Sequence, residues 1–390
     1  MLNSDRLAAT FRAFAETSSL SRREAKLAAG LRRDLESLGA ETWVDDSGPR
    51  TGSDTGNLIA RLKGNRDAPP LLLNAHMDTV GPAESVAVRF NDGLFTSDGT
   101  SILGADDKSA IAVILEALRV VRERDLPHGP LEIIFTTCEE VGLAGAKNLD
   151  FSRINARFGY ALDGSDTEGI ITQAPSANRF EIRVVGKDAH AGAHPEQGIN
   201  AIHLAAKAMA GLTIGRIDRE TTCNIGMIEG GLATNIVPPL VCLQGEARSH
   251  DEEKLERVTQ EILGAFERVV SEHRAAAGQD GLPRLESRVA RSYFKTRIPE
   301  DHRLVTLARQ AAERLGRPMR TKISGGGSDA NIFFEHGISL GILGTGMREI
   351  HTTREFVRLD DMIRAAELLL EIINLHADCQ EIAIPNSYPT

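Results

Sequence analysis

The sequence predicts an α/β fold, a mostly parallel sheet with helices on both faces, interrupted by an inserted α+β domain of the ferredoxin-like βαββαβ kind. Three observations carry this. Strand-like and helical stretches alternate through the first part of the chain; after about Pro175 the pattern changes to strand, helix, two strands, helix, strand; and from about Pro299 the alternation resumes. At 390 residues the chain also exceeds what one core comfortably organises. The boundaries read from these changes are 1–175 and 296–390 for the two parts of the α/β domain and 176–295 for the insertion.

Taken in order, SRREAKLAAGLRRDLESLG is an amphipathic helix, expected to open on a Ser21/Glu24 capping box and to stop at Gly39. NLIARLKG, PPLLLNAHMDTV, LEIIFTTCEE and RFGYALDG are strands, with the helix KSAIAVILEALRVVRERD between the second and third. In the insertion, RFEIRVVGKDAHAG is a strand and loop and GINAIHLAAKAMAGL a helix. TTCNIGMIEGG and LVCLQGEARS are strands, EEKLERVTQEILGAFERVVSEHRAA a long helix and PRLESRVARSYF a last strand. The helix HRLVTLARQAAERLG, the strand SLGILG and a helix from about Asp360 to His376 complete the outer domain.

A composition of 41% hydrophobic, 26% charged and 4% aromatic residues is that of a globular protein. The net charge of -10 argues against nucleic acid or an anionic membrane as partner and in favour of a small substrate. The N-terminus shows no signal-peptide pattern and no apolar run approaches membrane-spanning length, so a cytoplasmic protein is expected. The four cysteines, Cys138, Cys223, Cys242 and Cys379, lack any CxxC spacing and are expected to be reduced thiols without a metal role.

Ligands of open α/β sheets gather at the carboxyl ends of the strands, and here those ends carry chemistry. PPLLLNAHMD ends in His76 and Asp78, LEIIFTTCEE in Glu139 and Glu140, and RFGYALDG in Asp163. SILGADDKSA puts Asp106 and Asp107 at the start of the crossover helix, and GMREIHTTREF brings His351 after the last strand. So many carboxylates on one edge would repel one another and take up protons unless cations lie among them, which makes a metal site the simplest account. Mixed imidazole and carboxylate ligands suit Zn²⁺, Mn²⁺ or Co²⁺ better than Ca²⁺ or Mg²⁺, and one bridging carboxylate suits two metals about 3.5–4 Å apart. Adjacent residues of an extended segment point to opposite sides, so one of Glu139 and Glu140 can ligate while the other takes a proton. His76 and Asp78, two apart, point the same way, which lets Asp78 accept from the imidazole and fix its tautomer.

HMDTV, LGADDKSA, TTCEEVGLAGA, ALDG and IHTTREF, in that order, resemble the M20 family of dinuclear zinc peptidases, and within it the peptidase-T-like tripeptidases. The resemblance spans essentially the whole chain. It implies that His76 and Asp163 hold one zinc, Glu140 and His351 the other, and that Asp106 bridges them, with Asp107 after a cis peptide. It also implies Glu139 as general base and Asp78 as the residue orienting His76. An Asp at position 163 is common among aminopeptidase-like and dipeptidase members, which points to short peptides.

The inserted domain and a later glycine-rich loop add further expectations. His190 in GKDAHAGAHPEQG matches the family histidine that, in lid-to-lid dimers, reaches the partner's site and stabilises the oxyanion, so the insertion is expected to act as a dimerisation or lid domain in a homodimer. His194 has no counterpart and reads as a surface residue. Arg248 in GEARSHDEE either pairs with Asp251 and Glu252 or, as the resemblance implies, grips a substrate carboxylate, with Asn235 in GGLATNIVPP beside it. SGGGSDANIF lacks the GK[ST] ending of a phosphate loop and reads as a turn before a helix capped by Ser328 or Asp329. By resemblance the same loop lines the cleft through the backbone of Gly326 and Gly327. Of the other histidines, only His250 is expected near the cleft.

The resulting reading is a metal-dependent exopeptidase of tripeptide-aminopeptidase type, carrying two Zn²⁺ for which Co²⁺ or Mn²⁺ could substitute. Its rivals are an N-acyl-amino-acid amidohydrolase with the same metals and base, and a non-catalytic peptide-binding relative.

Overall fold

The computed structural model describes residues 2–277 and 281–378; Cys379 lies outside them. The chain divides into two compact units, one comprising Met1–Gln173, Arg297–Ile323 and Ser328–Thr390, the other Ala174–Thr296 together with Ser324–Gly327.

The first unit is built on a mixed sheet whose centre is parallel. Leu131–Thr136, Leu71–His76, Phe158–Gly164 and Ser339–Gly344 run parallel as neighbours in that order. Leu58–Leu62 adds to Leu131–Thr136 antiparallel, Glu41–Val44 follows it antiparallel, and Gly169–Ala174 lies antiparallel against Ser339–Gly344. Leu71, Leu73 and Ala75 face the main core, and Leu72 on the other face is equally buried, so the central strands are covered on both sides. The helix Ala105–Glu123, buried along nearly its whole length, packs on Leu71–His76 and Phe158–Gly164 and is flanked by Ser4–Ala15 and Leu359–Ala377. Asp329–Glu335 packs against Ser339–Gly344.

The capping box expected at Ser21 and Glu24 does not form. The helix starts at Ala25, and its N-cap Glu24 makes no side-chain cap bond. The Ser21 hydroxyl instead donates to Asp78 Oδ2 at 2.6 Å, and the buried Glu24 carboxylate accepts from the backbone N–H of Arg22 and Cys138, each at 3.0 Å. Charged and buried acceptors elsewhere in the fold outbid the local helix end. Ser328 does cap Asp329–Glu335, in a capping box closed by Asn331.

The second unit is a five-stranded antiparallel sheet in the order Gly215–Arg216, Thr221–Gly230, Leu240–Ser249, Ser176–Val185, Arg284–Tyr293. Along the chain its longer strands and its helices, Ala201–Ala210 and Glu252–Ala277, follow strand, helix, strand, strand, helix, strand. Phe180, Ile182 and Val184 alternate inward with Val241 and Leu243 against Leu204, Leu255 and Phe266 of the helices. The other face, with Arg179, Glu181, Gln244 and Arg288, is exposed.

Candidate active site

The parallel strands of the first unit end side by side, and this brings together residues far apart in sequence. Asp106 lies between two imidazoles: its Oδ1 is 3.0 Å from His76 Nε2 and its Oδ2 is 3.2 Å from His351 Nε2. His351 Nε2 also lies 2.8 Å from Glu140 Oε1. The ligand atoms of His76, Asp106 and Glu140 fall within 4.8 Å of one another, as do those of His76, Asp107 and Asp163. The Asp106–Asp107 peptide is cis. His351 itself sits at φ 62°, a backbone conformation that is rare outside glycine.

The proton balance of this cluster follows from burial and crowding. Burial pushes the carboxyl groups of Asp107, Glu139 and Asp163 well above the usual carboxylate range, and repulsion from neighbouring carboxylates adds to it. Burial acts the same way on Asp106, but hydrogen bonds to His351 and His76 outweigh it and keep this carboxylate ionised far into acid. Those same bonds, with that to Glu140, push the His351 imidazole up to about 10. His76 is opposed by burial, yet Asp106 and Asp78 hold it well above its ordinary value.

The donor set fits divalent metal ions. Imidazole nitrogen and carboxylate oxygen are the ligands of Zn²⁺, Co²⁺ and Mn²⁺. Asp107 Oδ1 is buried and has no hydrogen-bond partner among the described residues.

Asp78 has more than one partner. His76 Nδ1 meets the main-chain oxygen of Asp78 at 2.9 Å, while the carboxylate is 3.5 Å away. That carboxylate is also engaged with the turn after Leu131–Thr136, where Oδ1 accepts from Glu139 N at 2.8 Å and Oδ2 from Glu140 N at 3.2 Å. Asp78 thus holds the two glutamates through its carboxylate and meets the histidine through both its main-chain oxygen and its carboxylate.

Two further carboxylates belong to the neighbourhood and were not singled out as site residues. Asp329 Oδ2 accepts from the Thr136 hydroxyl, and burial raises its carboxyl to about 6. Glu355, also buried, accepts from Gly104 N at 2.7 Å and Asp106 N at 2.9 Å. Its place four residues after His351 in IHTTREF is its one signal in the sequence, and Asp329 reads there as a helix cap.

The candidate residues of the second unit fall into two groups. Ala191 N donates to Asn235 O and Val237 N to Ala189 O, each at 2.9 Å, which brings the His190 and Asn235 loops together. His190 Nδ1 accepts from Gly192 N at 3.2 Å and Ala193 N at 3.1 Å, so in the neutral ring the proton sits on Nε2 of an exposed side chain. Arg248 pairs with Glu246, Nε to Oε1 at 2.8 Å. A Cβ on Gly326 would lie 3.4 Å from Arg248 Nη1, and one on Gly327 would strike the Tyr293 ring at 2.3 Å, so Gly327 requires glycine by close approach. His250 Nε2 meets Ser324 O at 2.9 Å. His194 is exposed.

Residues 72–375 match the model of peptidase family M20/M25/M40. The chain is similar to the structure of aminopeptidase PepT from Bacillus cereus, 40% identical with a TM-score of 0.85 over 97% of this chain and 100% of that one. It is also similar to a tripeptidase from Staphylococcus aureus, 37% identical with a TM-score of 0.89 over 97% and 99% of the two chains. The protein YqjE of Bacillus subtilis, of uncharacterized function, is 41% identical over 96% of this chain and 99% of its own length. The strand-end cluster and these matches agree along almost the entire sequence: the chain belongs to peptidase family M20/M25/M40.

Proposed function

We propose that the protein is a metal-dependent exopeptidase that hydrolyses short peptides with a free amino terminus, tripeptides first among them. The observation that carries this reading is Asp106 between His76 and His351, one carboxylate oxygen toward each imidazole. His76 with Asp163, and His351 with Glu140, would hold two divalent cations, zinc or in its place cobalt or manganese, with Asp106 shared. Bound there, the cations would supply a water that ionises near neutral pH and a Lewis acid for the scissile carbonyl.

Glu139 takes the proton of the attacking water and returns it to the leaving amine, acting first as base and then as acid. Asp78 holds the backbone of that glutamate and of Glu140. The His190 Nε2–H is a donor suited to an oxyanion. Arg248, whose guanidinium can meet a carboxylate in two places, binds the peptide's carboxyl end with Asn235 and the backbone of Gly326 and Gly327. We further assign a cytoplasmic homodimer formed through the inserted unit; the apolar side chains Met227, Ile228 and Leu232, each more than half exposed, support the latter. Among the described residues no helix is long and apolar enough to cross a membrane.

The test is hydrolysis of di- and tripeptides beside N-acetylated amino acids, with zinc, cobalt or manganese, by wild type and Glu139→Gln. The expected result is cleavage of free-amine peptides and a loss of about 10²–10⁴-fold in kcat in the variant. Activity on acylated amino acids alone would make the protein an amidohydrolase, and inactivity despite bound metal would leave a peptide-binding relative.

A further inference from the structure

The turn that presents Glu139 and Glu140 is held by more than Asp78. Three consecutive backbone N–H groups at the end of Leu131–Thr136 point at two buried carboxylates. Cys138 N donates to Glu24 Oε1 at 3.0 Å, Glu139 N to Asp78 Oδ1 at 2.8 Å and Glu140 N to Asp78 Oδ2 at 3.2 Å. Cys138 stands at φ 54°, a left-handed conformation that a side-chain-bearing residue keeps only when its surroundings enforce it. Apart from Asp78, the enforcing groups come from one short N-terminal segment. Ser21 bonds Asp78, and the Ser19 hydroxyl donates to Met77 O at 2.8 Å. Thr79 N donates to Ser19 O at 3.0 Å and Ser21 N to Thr79 O at 3.3 Å, which lays the segment along the strand end carrying His76 and Asp78.

Glu24 completes the arrangement. It is fully buried, its Oε1 also accepts from Arg22 N at 3.0 Å, and its Oε2 accepts from the Ser53 hydroxyl at 2.5 Å. A buried carboxylate is costly unless its lone pairs are used, and here they are used on backbone that leads directly into the paired glutamates. It touches neither Glu139 nor Glu140 through its side chain in any of these bonds.

We infer that Glu24 is a positioning residue for the reaction proposed above: through the Cys138 amide it fixes the left-handed turn that aims Glu139, while Asp78 fixes the two amides that follow. This rests on the peptidase reading, and it predicts an outcome that does not. Glu24→Ala removes the acceptor, whereas in Glu24→Gln the amide oxygen can still accept from Cys138 and Arg22 and the NH₂ can donate to Ser53.

The experiment measures amide hydrogen exchange over residues 136–142 of the purified full chain, together with kcat and KM on whichever tripeptide the wild type cleaves, for wild type, Glu24→Ala and Glu24→Gln. The expected result is exchange at Cys138, Glu139 and Glu140 accelerated at least about tenfold in Glu24→Ala, as their acceptors loosen. With it should come a fall in kcat of about 10²-fold at nearly unchanged KM, the effect of misplacing a catalytic group. Glu24→Gln should restore both. Unchanged exchange and kcat in Glu24→Ala would overturn the inference, as would a Glu24→Gln variant as impaired as Glu24→Ala, because the charge and not the acceptor would then be what matters. If the wild type cleaves no peptide, the peptidase reading fails, and the exchange pattern still decides whether Glu24 holds the turn.

Discussion

Asp106 in the first unit and Glu252 in the second are both carboxylates held between a neighbour's donors, yet they live in opposite charge environments. Glu252 accepts from the Ser176 hydroxyl and from Arg291 Nη1 at 2.5 Å, with about a third of its side chain exposed. Burial pushes its carboxyl up, but Arg291 and Ser176 outweigh burial and the net shift is down, as in an ordinary half-buried ion pair. Asp106 has two imidazoles for company, but Asp107, Glu139, Glu140 and Asp163 crowd the same space, and three of these carry raised carboxyl groups. Folding around Glu252 leaves charge matched. Folding around Asp106 gathers more negative charge than the protein neutralises, and that surplus marks where cations and chemistry belong.

The largest effect that would sharpen this contrast is at Asp106. Asp106→Asn should lower bound zinc below two per chain and reduce kcat/KM by at least about 100-fold, since even residues one step removed from a metal change activity by 10–100-fold. Arg291→Met in the second unit should leave zinc content, measured by elemental analysis, unchanged. Two zincs retained in Asp106→Asn would break the assignment of the shared ligand.

A second contrast lies in pH. In the metal-free protein burial raises Asp329 from 3.8 to about 6 and Glu355 from 4.5 to about 7, so between pH 4 and 7 these two groups hold more protons in the folded state than in the unfolded one. Their contribution to stability therefore falls as pH rises through that window, by about 1.4 kcal/mol for each unit by which a buried carboxyl is raised. The raised His351 acts in the same direction, stabilising below 6.5 and fading toward 10. With zinc present the slope should reverse, because the ligands must shed protons to bind it. Denaturation midpoints with zinc and with chelator should lie close together at pH 5 and diverge toward pH 8, with the zinc curve the higher; coincident curves would show that the cluster does not take up metal.

The smallest effect is expected at the matched pair. Arg291→Met should destabilise by about 0.2–1 kcal/mol, the range of partly exposed ion pairs. Since Glu252 is lowered, its contribution is present above the unfolded carboxyl value of 4.5 and disappears as pH falls below it, the reverse of the metal-free cluster. A loss of several kcal/mol would mean that the second unit also depends on a buried charge.

Much of this was written in the order of residues. Apolar runs with period and punctuation located the strands, and polar residues at or just past their ends marked His76, Glu139, Glu140 and Asp163 as candidates, because where a strand ends is a local property of the chain. Similarity in motif order named the family before any coordinates did. What no local pattern carried was the use of side chains across long sequence separations. Ser21 and Glu24 have the spacing of a capping box, and only the packed structure places Asp78 and the Cys138 amide close enough to claim them. Asp78 two residues from His76 suggests an imidazole partner, and only the fold puts the amides of Glu139 and Glu140 nearer its carboxylate. Asp329 and Glu355 became site neighbours because burial, which sequence does not record for a carboxylate, removed water as their alternative partner. Local propensity and motif chose the elements and the chemistry; competition among buried donors and acceptors, which exists only after the chain has closed on itself, chose the partners.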